Sequence, residues 1–215
     1  MASYCGIDEA GRGSVMGPLV VGAVKTESDE PLVEMGVRDS KKLTPKRREA
    51  IYELITSQTE WTISVISAED IDLRRKQESL NDIEMSMFVE CAEHLGAERL
   101  FADCPDVNEQ SFGARMTVRL PQYGVIIAKH KADDSYPVVS AASIVAKVNR
   151  DRMMDDIRHE FGTDIGSGYP SDRHTMEFIE DWIRENGRAP AHVRCSWEPV
   201  RVMLSRRANT KLTDW

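Results

Sequence analysis

Short apolar runs of strand length alternate along this chain with longer segments whose apolar residues recur at three- and four-residue spacing. That alternation is the strongest constraint on the fold. A strand buries every second side chain and a helix buries one stripe, so a chain that keeps switching period builds a sheet covered by helices. Tyr4–Asp8, Pro18–Lys25, Trp61–Ile66, Arg99–Asp103 and Gly124–Ala128 read as strands. Thr44 followed by Pro45 is a helix start, with apolar Ile51, Leu54 and Ile55 along Lys46–Thr56. Leu80, Ile83, Met87, Cys91 and Leu95 mark a helix that stops at Gly96, with Met85 and Met87 as core filler. Tyr136-Pro137 opens a long helix through Ile144, Val145, Val148, Met153 and Ile157. Residues 162–170 hold three glycines and read as a loop; Ser171–Asn186 and Ser196–Ser205 read as helices. The expectation is an α/β fold with a mixed sheet, residues 1–161 forming the main domain and 162–215 a small helical extension. There is no internal repeat.

No stretch approaches the ~20 consecutive apolar residues that a spanning helix needs, so no membrane partner is expected. The first residues lack the basic start and long apolar run of a secretory signal, which predicts a cytoplasmic protein. Cys5, Cys91, Cys104 and Cys195 are widely scattered, with no C-x-x-C pair, and read as reduced thiols.

Net charge is -8, from 28 basic and 36 acidic residues. A negative total disfavours a polyanion partner, but the distribution matters more. Trp182–Trp215 carries seven basic residues against three acidic ones. A second basic zone runs through Arg38, Lys41, Lys42, Lys46, Arg47 and Arg48. An acidic body with two basic zones is compatible with nucleic acid, especially where acidic residues hold cations; solvated helix faces are the plain alternative.

The chemistry-bearing residues cluster at strand ends. Asp8 and Glu9 follow the first apolar run, Asp103 ends a later strand, and Asp133 comes shortly after the last. Ligands of open α/β sheets bind beyond such ends. Four carboxylates brought together there are suitable ligands for hard divalent ions, and two ions ~3.5–4 Å apart hold both the attacking and the leaving oxygen of a phosphoryl displacement. Each carboxylate taken singly also reads as a surface charge. Behind Asp8 and Glu9, Gly11-Arg12-Gly13 would let backbone approach a ligand closely, with Arg12 able to fork onto a phosphate. The spacing matches neither the dinucleotide fingerprint nor a P-loop, and by itself it is also an ordinary tight turn. Ser143 and Lys147 form S-x-x-x-K, one residue too long for a serine–lysine hydrolase.

G-I-D-E-A-G-R-G at 6–13 with G-P-L-V at 17–20 resembles the opening of ribonuclease HII, the type 2 ribonuclease H. D-S-K-K-L at 39–43, L-N-x-I-E at 80–84, F-A-D at 101–103, H-K-A-D-x-x-Y-P-V-V-S-A-A-S-I at 130–144 and G-S-G-Y-P-S-D at 166–172 resemble its later blocks, in order, the last in the archaeal manner. The resemblance implies a ribonuclease H-like fold with a five-stranded mixed sheet flanked by helices. It implies an endoribonuclease that hydrolyses the RNA strand of RNA/DNA hybrids and cuts at single ribonucleotides in duplex DNA, using two divalent ions, Mg2+ or Mn2+. Asp8, Glu9, Asp103 and Asp133 are then the metal-binding catalytic tetrad, with the adjacent Asp134 the nearest alternative. Gly11, Arg12 and Gly13 become the turn that reads 2′-hydroxyls, and Tyr169 the residue that stacks on the sugar past the ribonucleotide. Lys41, Asn81, Ser143 and Lys147 fall in blocks that touch substrate backbone. Ser14 stands where the family commonly has proline, a change expected to loosen the turn. Another nuclease or resolvase of the same fold, or a non-catalytic nucleic-acid binding module, is the rival reading; neither needs the whole set. The tail Asn209–Trp215 resembles a degenerate sliding-clamp peptide, with Leu212 and Trp215 three apart and packing back on the chain as the alternative. A monomer is expected.

Overall fold

The computed structural model describes residues 3–37 and 43–213, with side chains to residue 207. Five strands, β1 (Tyr4–Ala10), β2 (Leu19–Thr26), β3 (Glu60–Ile66), β4 (Arg99–Asp103) and β5 (Val125–Lys129), form one sheet in the order β3-β2-β1-β4-β5. β1 runs antiparallel to β2 and parallel to β4, and β4 runs parallel to β5. The sheet is therefore mixed and five-stranded, as expected, and each strand lies within two residues of its sequence-derived span.

The helices are α1 (Glu30–Met35), α2 (Pro45–Gln58), α3 (Ala68–Arg74), α4 (Leu80–Leu95), α5 (Glu109–Arg119), α6 (Ala132–Ser135), α7 (Pro137–Phe161), α8 (Arg173–Asn186) and α9 (Glu198–Thr213). Thr44 caps α2 by accepting from the Arg47 N–H, with Pro45 at the first helical position. Asp172 caps α8, so that helix starts after Ser171. α9 continues eight residues beyond the expected Ser205. In the long helix Met154, not Met153, is the fully inward methionine. α1, α3, α5 and α6 have no counterpart in the sequence reading. Three are under eight residues, too short to show a period, and α5 buries only Phe112 and Met116.

Contacts divide the chain into two compact units, neither continuous in sequence. The first comprises Met1–Ala10, Val20–Val65 and Leu80–Asn149; the second comprises Gly11–Leu19, Ile66–Ser79 and Arg150–Trp215. In the first, the opening half of α7 (Val138, Val139, Ala141, Ala142, Val145) packs with Val24, Ile51 and Ile55. Close packing is possible because β1 and β2 present glycines: a Cβ on Gly6 would sit 2.4 Å from the Val138 carbonyl, and one on Gly22 2.7 Å from the Ala142 oxygen. The second unit has its own core, including Val15, Met16, Met154, Ile157, Ile165, Ile179, Ile183 and Val200. Among the described residues, no helix is long and apolar enough to cross a membrane. Cys5, Cys91 and Cys104 are buried free thiols and Cys195 is an exposed one.

Candidate functional site

β1 runs on to Ala10, so Asp8 and Glu9 lie within the strand rather than at its end. The extra residues pair with β2, Asp8 opposite Gly22 and Glu9 opposite Val21. The register then decides what meets what. Gly6 is paired with Phe101 on β4. Two residues further along each strand return to the same sheet face, so Asp8 and Asp103 stand side by side on it. This is the face covered by α7, since Gly6 and Gly22 both open toward that helix. From α7 the Ser143 hydroxyl hydrogen-bonds the Asp8 carboxylate, and the Glu9 N–H donates to Asp8 Oδ1 at 2.7 Å.

The fourth acidic residue arrives by a tight connection. β5 ends at Lys129, Lys131 takes a left-handed conformation (φ 54°), and α6 begins. Its Ala132 N–H donates to Asp103 Oδ1 at 2.9 Å, tying the end of β4 to the start of α6 and placing Asp133 next in the chain. Asp133 is buried and Asp134 is exposed. Of the two adjacent aspartates, only the first is held in the protein interior.

Asp8 is 5% exposed. Its pKa is raised well above the usual carboxylate value, first by burial and then by the neighbouring Glu9 and Asp103 carboxylates; the bonds from Ser143 and the Glu9 N–H pull the other way. Such a cluster of oxygen donors suits a hard divalent cation, whose charge would offset the repulsion. Among the described residues no three His, Cys, Asp or Glu side chains converge as a ready-made cage.

The remaining expected residues distribute as follows. Asn81 is partly buried in the first turn of α4, and Ser143 and Lys147 are partly buried one turn apart on α7. Lys41 lies outside the described residues, as do the side chains of the tail from residue 208 onward; its backbone from Asn209 to Thr213 belongs to α9. His130 is exposed, its ring at 2.7 Å from the Asp106 carbonyl.

Gly11, Arg12, Gly13 and Tyr169 belong to the second unit. Gly11 has φ 93°, a left-handed conformation that glycine adopts without penalty. Gly13 is exposed, with nothing within 4 Å of where a Cβ would be. Ser14 tightens this turn, contrary to expectation: its buried hydroxyl donates to the Gly11 carbonyl at 2.8 Å. From below, the fully buried Arg194 donates to the Arg12 carbonyl (3.0 Å) and twice to the Gly17 carbonyl (3.2 and 3.0 Å). The Gly166–Tyr169 turn is held by the start of α8, with Asp172 accepting from the Ser167 N–H at 2.6 Å and Thr175 from the Gly168 N–H at 2.9 Å. The first of these bonds is the main reason that Asp172 has a lowered pKa.

Sequence reasoning missed two residues here, Arg150 and Arg194, both at most 1% exposed. Arg194 reads as one more surface charge in a basic tail. Arg150 did leave a signal: it interrupts the apolar stripe Ala146, Met154, Ile157 on α7, where a cation is out of place.

The Ribonuclease HII family model matches residues 5–200. A Ribonuclease HII of Methanococcoides burtonii is 44% identical over 211 residues, covering 93% of this chain and 98% of that one. The ribonuclease H2 of Pyrococcus horikoshii OT3 superposes with a TM-score of 0.89 at 36% identity, covering 96% and 99% of the two chains. The RNase HII of a PCNA:RNase HII complex from Archaeoglobus fulgidus gives 0.87 at 38% identity, covering 93% and 96%. With the family model matched over residues 5–200, a relative 44% identical covered almost end to end and a solved relative superposing at a TM-score of 0.89, this chain belongs to the ribonuclease HII family and is a ribonuclease H, an enzyme that degrades RNA in RNA/DNA hybrids.

Proposed function

We propose that the enzyme cuts both the RNA strand of hybrids and single ribonucleotides embedded in duplex DNA, with Asp8, Glu9, Asp103 and Asp133 holding two divalent ions, Mg2+ or Mn2+. The observation that carries this reading is the strand register, which sets Asp8 and Asp103 side by side on one sheet face, with Glu9 next to Asp8 and Asp133 following Ala132, whose N–H donates to Asp103. Held by these carboxylates, the ions would supply Lewis-acid charge to the phosphodiester and make water a better nucleophile.

The chain's own contribution is position and charge. Ser143 and the Glu9 N–H fix the Asp8 carboxylate, and the Ala132 N–H fixes that of Asp103. Water gives up a proton and adds to phosphorus in line with the leaving 3′-oxygen; the new P–O bond stays with the 5′-phosphate product, and the P–O3′ bond breaks, the departing oxygen taking up a proton to become a 3′-hydroxyl. Backbone of Gly11–Gly13 reads the 2′-hydroxyl, the group that separates RNA from DNA, and the open surface at Gly13 admits a sugar. Tyr169 stacks on the next deoxyribose. Asn81, Lys147 and Lys41 contact phosphates, and the C-terminal segment 162–215 contributes to substrate binding. The enzyme works as a monomer in the cytoplasm, and its tail Asn209–Trp215 docks on a sliding clamp, a reading supported by the Archaeoglobus fulgidus relative solved with PCNA.

The test is cleavage of three duplexes, one with a single ribonucleotide, one RNA/DNA hybrid and one all-DNA control, with Mg2+ and with chelator. Both ribose-containing duplexes should be cut only with metal, leaving 5′-phosphates. Cleavage of the all-DNA duplex at a similar rate, or cleavage that persists in chelator, overturns the proposal.

A further inference from the structure

Arg150 is charged, 1% exposed, and placed where an apolar residue would satisfy packing. Desolvating a cation costs several kcal/mol unless its hydrogen bonds and charge are compensated, so volume filling alone does not account for it. Its contacts do. Nη2 lies 3.4 Å from the Met16 carbonyl and 3.4 Å from the Ser167 carbonyl, and the guanidinium carbon lies 4.8 Å from the centre of the Tyr169 ring. One planar group therefore touches the loop carrying Gly11–Gly13, the loop carrying Tyr169, and the Tyr169 ring itself.

The two loops are also cut to fit around it. A Cβ on Gly11 would come within 2.3 Å of Arg150 Nε, and one on Gly168 within 3.1 Å of Arg150 Nη2 and 2.6 Å of the Met16 carbonyl. The Val15 and Met16 N–H groups both donate to the Gly168 carbonyl, at 2.8 and 3.1 Å. Arg194 makes a different pattern. It braces the Arg12 and Gly17 carbonyls and stacks on Trp197.

We propose that Arg150 is a positioning residue for substrate choice: it fixes Tyr169 relative to the Gly11–Gly13 turn and so sets the preference for a ribonucleotide followed by a deoxyribonucleotide. This rests on the reading of those two elements given above. Arg150 touches no substrate; it holds the distance between the part that recognises ribose and the part that recognises deoxyribose. A long hybrid presents ribose on both sides and gains little from that distance. A single embedded ribonucleotide depends on it.

The experiment compares kcat/KM on a single-ribonucleotide duplex with kcat/KM on a long hybrid, taken as a ratio, alongside melting midpoints. Arg150→Lys keeps the charge and loses the planar fork. Tyr169→Ala should lower the ratio about five-fold, on the scale of one weak stacking contact. Arg150→Lys should lower it by a similar factor while hybrid cleavage stays within about two-fold, and the double variant should fall no further, because both changes remove one coupled element. Arg194→Lys should slow both substrates alike. Should Arg150→Lys fold too poorly to assay, Gly168→Ala disturbs the same junction from the other side and should lower the ratio in the same direction.

If Tyr169→Ala lowers the ratio and Arg150→Lys does not, the positioning role fails and the Tyr169 reading stands. If Tyr169→Ala leaves the ratio unchanged, that reading fails, and this proposal with it. Equal losses on both substrates for Arg150→Lys, or a ratio change of the same size for Arg194→Lys, reduce Arg150 to a structural brace.

Discussion

Replacing Gly22 by alanine tests whether the approach of α7 to the sheet is what sets the carboxylate geometry. The added methyl would sit 2.7 Å from both the Ala142 carbonyl oxygen and the Ala146 nitrogen, and 3.1 Å from the Ala146 Cβ. The two nearest atoms are helix backbone, which has no rotamer to change. Reaching an ordinary 3.4 Å contact requires α7 and β2 to separate by about 0.7 Å, the difference between the two distances. Overpacking of this kind costs about 1–3 kcal/mol. For a chain of this size that corresponds to a fall of roughly 2–12 °C in melting midpoint.

The same displacement reaches the site. Ser143 follows Ala142 on α7 and hydrogen-bonds Asp8, which is paired with Gly22 across the β1–β2 ladder. A shift near 1 Å in a catalytic constellation is worth on the order of 10²-fold in rate. We therefore expect a ten- to hundred-fold loss of kcat on hybrid, measured well below the midpoint so that unfolding does not contribute. Ala146→Gly should not rescue the variant, because the closest clashes are with main chain. Wild-type turnover combined with a midpoint within about 1 °C of wild type would show that the helix yields freely and would refute the argument.

Asp8→Asn should fold and lose cleavage, and in chelator its stability should carry a pH signature. The folded-state pKa of Asp8 lies above the unfolded value of about 3.9, so its charge costs nothing below pH ~4 and progressively destabilises the fold as pH rises toward and through the folded value. Wild type and variant should melt together near pH 4, with the variant increasingly more stable by pH 8; a difference independent of pH would contradict the burial and like-charge account. Gly113→Ala should stabilise by about 0.5–1 kcal/mol, since this glycine is inside α5 and its nearest neighbour to a Cβ is Ala128 at 3.8 Å; a lower melting midpoint would sink that. Deleting Asn209–Trp215 should abolish binding to a sliding clamp while leaving cleavage intact, and unchanged affinity by calorimetry would make the segment an ordinary terminus.

The sheet was legible because each strand is a dense apolar run ended by a turn signal, and a one-residue error in β5 leaves it recognisable. Helix α5 was not, since a helix that buries only Phe112 and Met116 while leaving Val118 81% exposed gives almost no periodic signal. The acidic candidates were placed at strand ends, but Asp8 and Glu9 lie inside β1, which runs on to Ala10 and pairs them with Gly22 and Val21. Their partnership with Asp103 follows from the Gly6–Phe101 register, and register between strands far apart in sequence leaves no mark in either strand alone. The choice between Asp133 and Asp134 likewise needs the left-handed turn at Lys131, which determines which side chain enters the interior.

Charge was the property that sequence counting handled least well. The seven basic residues from Trp182 onward include Arg194, which is 0% exposed and committed to main-chain carbonyls, so it adds little to any field that a polyanion would meet. The acidic total also overstates repulsion once the site is considered. If Asp8, Glu9, Asp103 and Asp133 hold two divalent ions, four negative charges are balanced locally, and the net -8 becomes -4. Because burial and the neighbouring carboxylates raise the Asp8 pKa, cation binding there would be linked to loss of a proton. On that reading an acidic ribonuclease would meet a polyanionic substrate through a metal-neutralised site, and net charge alone would be a poor guide to its partner.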